Sequence, residues 1–456
     1  MIDLFSLKML EEPLQATDIR GDAEFQRVST DTRSLLQGDL FVALSGPNFN
    51  GNGFVKQAAE KGACAAVVTE LQNIDLPQLL VADSRQALGA IARLNRQRYQ
   101  GKLVAITGSS GKTTVKEMLA AILATQGEVL ATRGNLNNEI GVPLTLLELN
   151  AQHRYAVIEL GASGLGEIAY TAGLAQPDVA LLNNAGGAHL EGFGSLQGVV
   201  QAKGEIFEGL GETGIGIVNL DDDNADFWLK QLQHQKRLSF SLHSTYADLF
   251  ASHLESYADG CYGFVLNTHN GQITIRLSVL GRHMASNALA AAAAANALGV
   301  DLAAIQQGLQ AFQGVPGRLA VSAHFSGARI IDDSYNANPD SVKAAIRVLK
   351  DLPGQRVLVL GNMAELGDDT VALHQQVGQF AAENGIDLLL ASGDLAAAAA
   401  ETFKSNSGQA RSFESNELLS DWLLRHVNKE MVILVKGSRS AGMETVIKAL
   451  SAEGNE

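Results

Sequence analysis

The stretch Thr-Gly-Ser-Ser-Gly-Lys-Thr-Thr, residues 107–114, carries the residue types of a phosphate-binding loop at an unusual spacing. The common P-loop reads G-x-x-x-x-G-K-[ST]. Here Gly108 and Gly111 precede Lys112 and Thr113, and Ile106 stands where the first glycine would be, so the loop is short. Each type has a chemical reason to be there. Gly108 and Gly111 let the backbone come close to a phosphate, Lys112 can reach the terminal phosphates, and Thr113 can offer its hydroxyl to Mg²⁺. Ser109, Ser110 and Thr114 complete the loop. The plain alternative is a Gly/Ser turn that caps a helix.

Other residues could join this chemistry. Glu159, deep in "YAVIELGAS" near a strand end, is placed as a P-loop enzyme places the carboxylate that holds magnesium. Its alternative is a structural ion pair or a cap for the next turn. His189 follows the next strand in "NNAGGAHL", where a turn or core histidine is the competing reading. Lys203, in the helical "GVVQAKGEIFEGL", reads by itself as a solvated helix lysine. In "DDSYNANP" (332–339), Asp333 ends an apolar strand and would point into a crevice, while Asn338-Pro339 starts a helix with good cap chemistry. Lys436 and Arg439 in "KGSRS" follow a strand and could face an anion or sit in a solvated turn. His283, beside Arg282, reads as structural. The N-K-x-D signal of GTPases and the H-R-D signal of protein kinases are both missing, which leaves ATP as the nucleotide.

The elements that must position these residues follow from apolar patterning. Leu103 to Thr107 is an apolar strand, and Val115, Met118, Leu119, Ile122 and Leu123 recur at helical spacing. The loop therefore lies between a strand and a helix, where free N–H groups and the helix dipole favour phosphate. Apolar runs alternate with amphipathic segments along the whole chain, the signature of an α/β protein. Three blocks are expected, roughly residues 1–83, 84–314 and 315–456. In the second, "KLVAITG", "YAVIELG", "DVALLNNAG" and "IGIVNLDDD" each end in Gly, Asn or Asp, as parallel strands do at a ligand crevice. "GCYGFVLNTHNGQITIRLSVLGRH" alternates instead, with "NTHNG" as a turn, and predicts an added antiparallel hairpin. "ARIIDDSY", "QRVLVLGNM", "IDLLLASG" and "EMVILVKGS" predict four strands of a second doubly wound unit.

Bulk properties narrow the function classes. At 456 residues the chain exceeds one ordinary core. Net charge is −15, which argues against non-specific nucleic-acid binding. The two cysteines, Cys64 and Cys261, form no disulfide framework or zinc ribbon, and Cys64 in "GACAAVV" reads as an inert thiol in a buried strand of a cytoplasmic protein. "MIDLFSLKMLEEP" lacks a basic n-region and a long apolar run, so no signal peptide is read. The alanine-rich stretch 288–299 is shorter than a bilayer span and reads as a packed helix, so no membrane insertion is expected.

Taken together, these motifs resemble the Mur ligases, ATP-dependent amide-forming enzymes of peptidoglycan assembly. "TGSSGKTT" is similar to the family's shortened P-loop. "STDTR" (29–33) and "GDLFVALSG" (38–46) are similar to its UDP-sugar-binding first domain. "NLNNEIGVPLTLL" (135–147), "GRHMASNALAA" (281–291) and "DDSYNANP" follow in family order, so the resemblance covers essentially the whole chain. It implies a small α/β UDP-binding domain, a central parallel-sheet P-loop domain with an antiparallel addition, and a C-terminal Rossmann-like domain. "DDSYNANP", "LGNMAELG" (360–367) and "KGSRS" look most like the members that add D-alanyl-D-alanine to UDP-N-acetylmuramoyl-tripeptide; the D-N-P-R of another branch is missing.

The resemblance also implies roles. Gly108, Ser110, Gly111, Lys112, Thr113 and Thr114 match the ATP phosphate loop. Thr113 and Glu159 match magnesium ligands, His189 a ligand of a second magnesium, and Lys203 a carbamylated lysine whose new carboxylate helps organise the metals. Asn287 matches an adenine contact, and Arg318 and Asp333 match contacts to phosphate and ribose. Ser29, Thr30, Asp31, Arg33 and Ser45 match the uridine-diphosphate region. Asn135, Asn137 and Asn138 match the sugar or peptide entrance, and Tyr335, Asn336 and Asn338 fall in the third-domain substrate motif. A monomer is expected. The chain departs from the family at Asn50-Gly51-Asn52, where relatives often read D-G-H, and at Asn362, where they often carry aspartate. Competing readings are another amide ligase of the superfamily, including a folate polyglutamating enzyme, a P-loop phosphotransferase that makes no amide, and a nucleotide-gated binding protein.

Overall fold

The computed structural model describes residues 1–46, 49–186, 190–406 and 408–452. Three large sheets follow one another along the chain, with two short antiparallel pairs, Phe5–Ser6 with Glu24–Phe25 and Ser45–Gly46 with Phe49–Asn50, beside the first. The first has five strands in the spatial order Asp18–Arg20, Gln78–Leu80, Ala65–Val68, Leu40–Val42, Val28–Ser29. All pairings are parallel except that of Asp18–Arg20. The helix Ser84–Arg98 then leads into the second unit. Asp83 starts it by accepting from the amides of Arg85 and Gln86. Its Leu88, Ile91 and Ala92 pack into the same core as Leu103, Ala105 and Ile158, which ties the first unit to the second.

The central sheet has nine strands. Seven are parallel, in the order Val129–Ala131, Tyr155–Glu159, Lys102–Thr107, Val179–Leu182, Ile215–Asn219, Lys236–Ser241, Leu249–Ser256. Cys261–Thr268 and Gly271–Leu280 then add antiparallel, as the alternating pattern predicts, joined at the "NTHNG" turn. Lys102–Thr107 is buried over all but its first residue, which is why it reads as a continuous apolar run. The chain order reverses around this strand, with later strands laid on either side of it. A crevice opens at such a switch point beyond the carboxyl ends. The helix Arg282–Ala297 carries the alanine run, and Ala288 and Ala290 to Ala295 are fully buried against the sheet. Among the described residues no helix is long and apolar enough to cross a membrane.

The third sheet runs Ala320–Ala323, Arg329–Asp333, Met431–Lys436, Gln355–Gly361, Leu388–Ser392, Gln409–Phe413, parallel except for the first strand. The four strands predicted from the sequence form its interior. The two edge strands escape that prediction, because their side chains are largely exposed and carry no apolar run. Cys64 also departs from expectation. It precedes the strand Ala65–Val68, is half-exposed, and donates its thiol to the Gly38 carbonyl at 3.3 Å.

Candidate active site

The short loop sits at the crevice. Gly111 caps the helix Lys112–Ala124 with φ +76°, and a Cβ there would fall 2.5 Å from Asn287 Oδ1 and 2.7 Å from Asn183 Nδ2. Only glycine meets both conditions. The end of the neighbouring strand Val179–Leu182 holds the loop's shape. Ser109 N donates to the Asn184 carbonyl at 3.0 Å, Ser110 N donates to Asn184 Oδ1 at 2.9 Å, and Asn183 Nδ2 donates to the Ser110 carbonyl at 3.0 Å. Lys112 folds back over the loop and donates to the Gly108 carbonyl at 2.6 Å. Burial lowers its pKa, Glu159 opposes that shift, and Arg318 adds to it.

Three elements converge on Glu159, which is buried at the end of its strand. Its Oε2 accepts from Thr113 Oγ1 at 2.9 Å, from the first turn of the loop helix. Its Oε1 accepts from Asn137 Nδ2 at 2.9 Å, from the loop after Val129–Ala131. A threonine hydroxyl beside one carboxylate is a hard, all-oxygen donor set. Magnesium uses such a set when nucleotide phosphates and waters supply the remaining ligands. Among the described residues, no group of three or more His, Cys, Asp or Glu converges to hold a metal. His189 lies outside the described residues.

Lys203 corrects the simplest reading of its helix. It is buried to 3% exposure, not solvated, with its Nζ 5.3 Å from the Phe193 ring centroid. Burial, reinforced by the Lys112 charge, lowers its pKa to about 7, and Glu167 and Glu205 oppose the shift. Lys203, Lys112, Asn137, Asn138 and Glu167 face one cleft of about 410 Å³ beside the loop. Asn138 also accepts from the Gly141 amide at 2.9 Å, at the start of the helix Gly141–Leu147.

A second cleft, of about 320 Å³, separates the loop from the third sheet. Ser109, Ser110, Gly111, Thr114 and Asn287 form its central-domain side. Arg318, Asp333, Tyr335, Asn336, Asn338 and Lys436 form the other. Asp333 and Lys436 end adjacent parallel strands in register, and their side chains meet at 2.6 Å. Lys436 also donates to the Asn336 carbonyl at 2.9 Å. Burial pushes the Asp333 carboxyl up, while Lys436 and Arg318 pull against that. The Arg318 guanidinium lies 4.3 Å from the Tyr335 ring centroid. Asn338 caps the helix Pro339–Lys350, accepting from Ser341 N at 2.8 Å, and Ser341 Oγ accepts from Asn338 N at 3.0 Å. His283, set aside as structural on sequence grounds, lines this cleft too. Burial and Lys436 lower its pKa to about 4, so its imidazole is neutral there. Its signal was faint, a histidine at a helix start. Asn183 and Asn184 were more legible, as paired amides at the end of a parallel strand.

The first-domain candidates line neither cleft, and neither does Asn135. Arg33 pairs with Asp31 at 2.6 Å, Ser29 Oγ donates to the Asp31 carbonyl at 3.0 Å, and Thr30 lies between them. Ser45 Oγ donates to Asn50 Oδ1 at 3.2 Å. The departures from the family pattern are used by the fold. Asn50 Oδ1 accepts from the Asn52 backbone and side-chain amides, and Asn52 Nδ2 also reaches Thr69 Oγ1 at 2.8 Å. Asn362 Oδ1 accepts from Ala396 N at 2.9 Å, in the first turn of the helix Asp394–Ser405.

Three family profiles match the chain. They are "Mur ligase family, catalytic domain" over residues 24–101, "Mur ligase middle domain" over 106–295, and "Mur ligase, glutamate ligase domain" over 317–439. The chain is 47% identical to the UDP-N-acetylmuramoyl-tripeptide–D-alanyl-D-alanine ligase of Escherichia coli (strain K12), over 98% of this chain and 97% of that protein. The Bacillus subtilis (strain 168) ligase of the same name is 35% identical over 93% and 92%. Among solved structures, MurF from Acinetobacter baumannii superposes with a TM-score of 0.91 at 38% identity, covering 98% of this chain and 99% of that one. The MurF ligase from Thermotoga maritima in complex with ADP gives 0.82 at 31%, covering 94% and 97%.

Proposed function

The chain belongs to the Mur ligase family, and we propose that it is the ligase that joins D-alanyl-D-alanine to UDP-N-acetylmuramoyl-tripeptide with ATP, releasing ADP and phosphate. The observation that carries this reading is the short loop itself: Thr113 of its helix meets Glu159, while Ser109, Ser110 and Gly111 face a second wall of Arg318, Asp333 and Lys436. The rival of a phosphotransferase that makes no amide leaves the third-domain wall and the first-domain motif without a purpose.

The peptide's terminal carboxylate attacks the γ-phosphorus of ATP, and the bond to ADP breaks. The loop amides and Lys112 stabilise the charge spread over the transferring group. The amine of the dipeptide attacks the acyl phosphate, loses its proton, and expels phosphate as the amide forms. Thr113 and Glu159 would hold one magnesium ion and His189 a second, with a carbamylated Lys203 helping to organise the metals. When bound, these ions neutralise phosphate charge. With a pKa near 7, Lys203 is substantially uncharged at neutral pH, the form that can add carbon dioxide. Arg318 and Asp333 would contact the nucleotide, and Asn287 its base. Tyr335, Asn336 and Asn338 belong to the wall proposed for the dipeptide. Ser29, Thr30, Asp31, Arg33 and Ser45 are proposed to bind the uridine diphosphate, with Asn135, Asn137 and Asn138 at the sugar and peptide entrance.

The test is phosphate release with ATP, magnesium, UDP-N-acetylmuramoyl-tripeptide and D-alanyl-D-alanine, with mass spectrometry of the product. A pentapeptide product that vanishes when either substrate is omitted is expected. ATP turnover without amide formation would overturn the proposal.

A further inference from the structure

Lys116 is 1% exposed and lies in the loop helix, one turn beyond Lys112. The mechanism above gives it no role. Its ammonium contacts Glu117 Oε1 at 2.8 Å and donates to the backbone carbonyl of Thr132. That second contact changes the sheet. Thr132 extends the edge strand Val129–Ala131 by donating its N–H to the Val157 carbonyl at 3.0 Å. In a parallel ladder the next bond would run from Glu159 N–H to the Thr132 carbonyl. Lys116 occupies that carbonyl, and Glu159 N–H donates to Thr132 Oγ1 at 2.9 Å instead. The strand thus leaves the sheet at Thr132 without leaving the Glu159 amide unpaired. The chain turns through Gly134, at φ +54°, and returns Asn137 to the carboxylate of Glu159. Gly161 N closes the return by donating to the Asn137 carbonyl at 2.8 Å.

We propose that Lys116 and Thr132 form a positioning pair that fixes the aim of Glu159. Lys116 peels the edge strand away, and the Thr132 hydroxyl holds the Glu159 backbone while Asn137 and Thr113 hold its carboxylate. The proposal rests on the reading of Glu159 as the magnesium carboxylate. Thr132→Val keeps the side-chain shape and removes the acceptor, whereas Thr132→Ser keeps the hydroxyl.

Two measurements on the full chain test the pair: amide hydrogen exchange over residues 155–161 without metal, and the magnesium concentration for half-maximal ligase activity. Thr132→Val is expected to speed exchange at Glu159 and to raise the magnesium requirement about 10-fold, the size typical of groups that orient metal ligands. The KM for the UDP substrate stays unchanged, and Thr132→Ser restores both readouts. Lys116→Met frees the Thr132 carbonyl for the Glu159 N–H, so it is expected to raise the magnesium requirement while exchange at Glu159 stays slow. If it does not fold, the two threonine variants decide alone. Wild-type exchange and magnesium titration in Thr132→Val would overturn the pair. Glu159→Gln separates the two levels. If it titrates with magnesium like wild type, the metal reading itself fails. If it loses activity while Thr132→Val behaves as wild type, only the positioning role fails.

Discussion

Thr113 and Asn137 reach Glu159 from 46 and 22 positions away in the chain, whereas Arg33 reaches Asp31 from two positions away. Both clusters are polar and both are proposed to meet a phosphorylated substrate, yet they are built in opposite ways. The central cluster closes on a buried carboxylate and exists only once three separate elements have assembled. The first-domain cluster is local, and its arginine side chain is 89% exposed. Water competes for such a pair, so it can open to admit an anion at little cost. A buried carboxylate whose partners are withdrawn has no such substitute. The central site should therefore fail when touched, and the first-domain site should only weaken.

The sharpest break in that contrast is Glu159→Gln, which keeps shape and removes charge. Loss of about a thousand-fold in kcat/KM is expected, the scale of a lost electrostatic stabiliser. Loss of less than about ten-fold would place the two regions on the same footing. Lys203→Met comes next, with an expected loss of about 100-fold and a ¹³C carbamate signal absent from the bicarbonate-treated variant.

Lys203 also gives a pH signature. Its pKa is about 7 in the folded chain against 10.5 for a free lysine. Between those values the unfolded chain binds one more proton, so stability rises with pH across that window. In CO₂-free buffer, denaturant titrations should show the wild type gaining on Lys203→Met from pH 7 towards 10, and a flat difference would refute the shift. The Asp31–Arg33 pair adds nothing in this range, because Arg33 holds the Asp31 carboxyl down to about 2.

Arg33→Ala should raise the KM for the UDP substrate about 10-fold, as for one lost charge-assisted hydrogen bond, with kcat and melting temperature little changed. A collapse in kcat would mean that this loop reaches the reacting centre. Asn338→Ala should cost only about 1 kcal/mol of stability, the worth of an N-cap, and Asn338→Asp should recover it. A raised dipeptide KM in Asn338→Asp at full stability would show that Asn338 touches the substrate as well as capping the helix.

Several of these positions are legible in the amino-acid pattern. The interior parallel strands announce themselves as apolar runs ending in polar residues, because burial on both faces leaves no room for alternation. The loop between strand and helix, Asp333 at a strand end, and the Asn338 cap can be read for the same reason: strand ends and caps are local in sequence. The strands Ala320–Ala323 and Gln409–Phe413 cannot, since an edge strand is defined by its neighbour and carries little pattern of its own. Lys203 cannot either. Its helix spacing is that of a solvated residue, and only the packing of Phe193, Val199 and Ala202 around that turn puts it inside.

By itself, then, the sequence determined the α/β class, the phosphate loop and the family, because each rests on residue types at short, fixed spacing. Tertiary structure alone decided that Thr113, Asn137 and Thr132 all close on Glu159, that Lys436 faces Asp333, and that Lys203 titrates near neutrality. Those are distances and burials set by which strands become neighbours, and strand order is a property of the folded sheet.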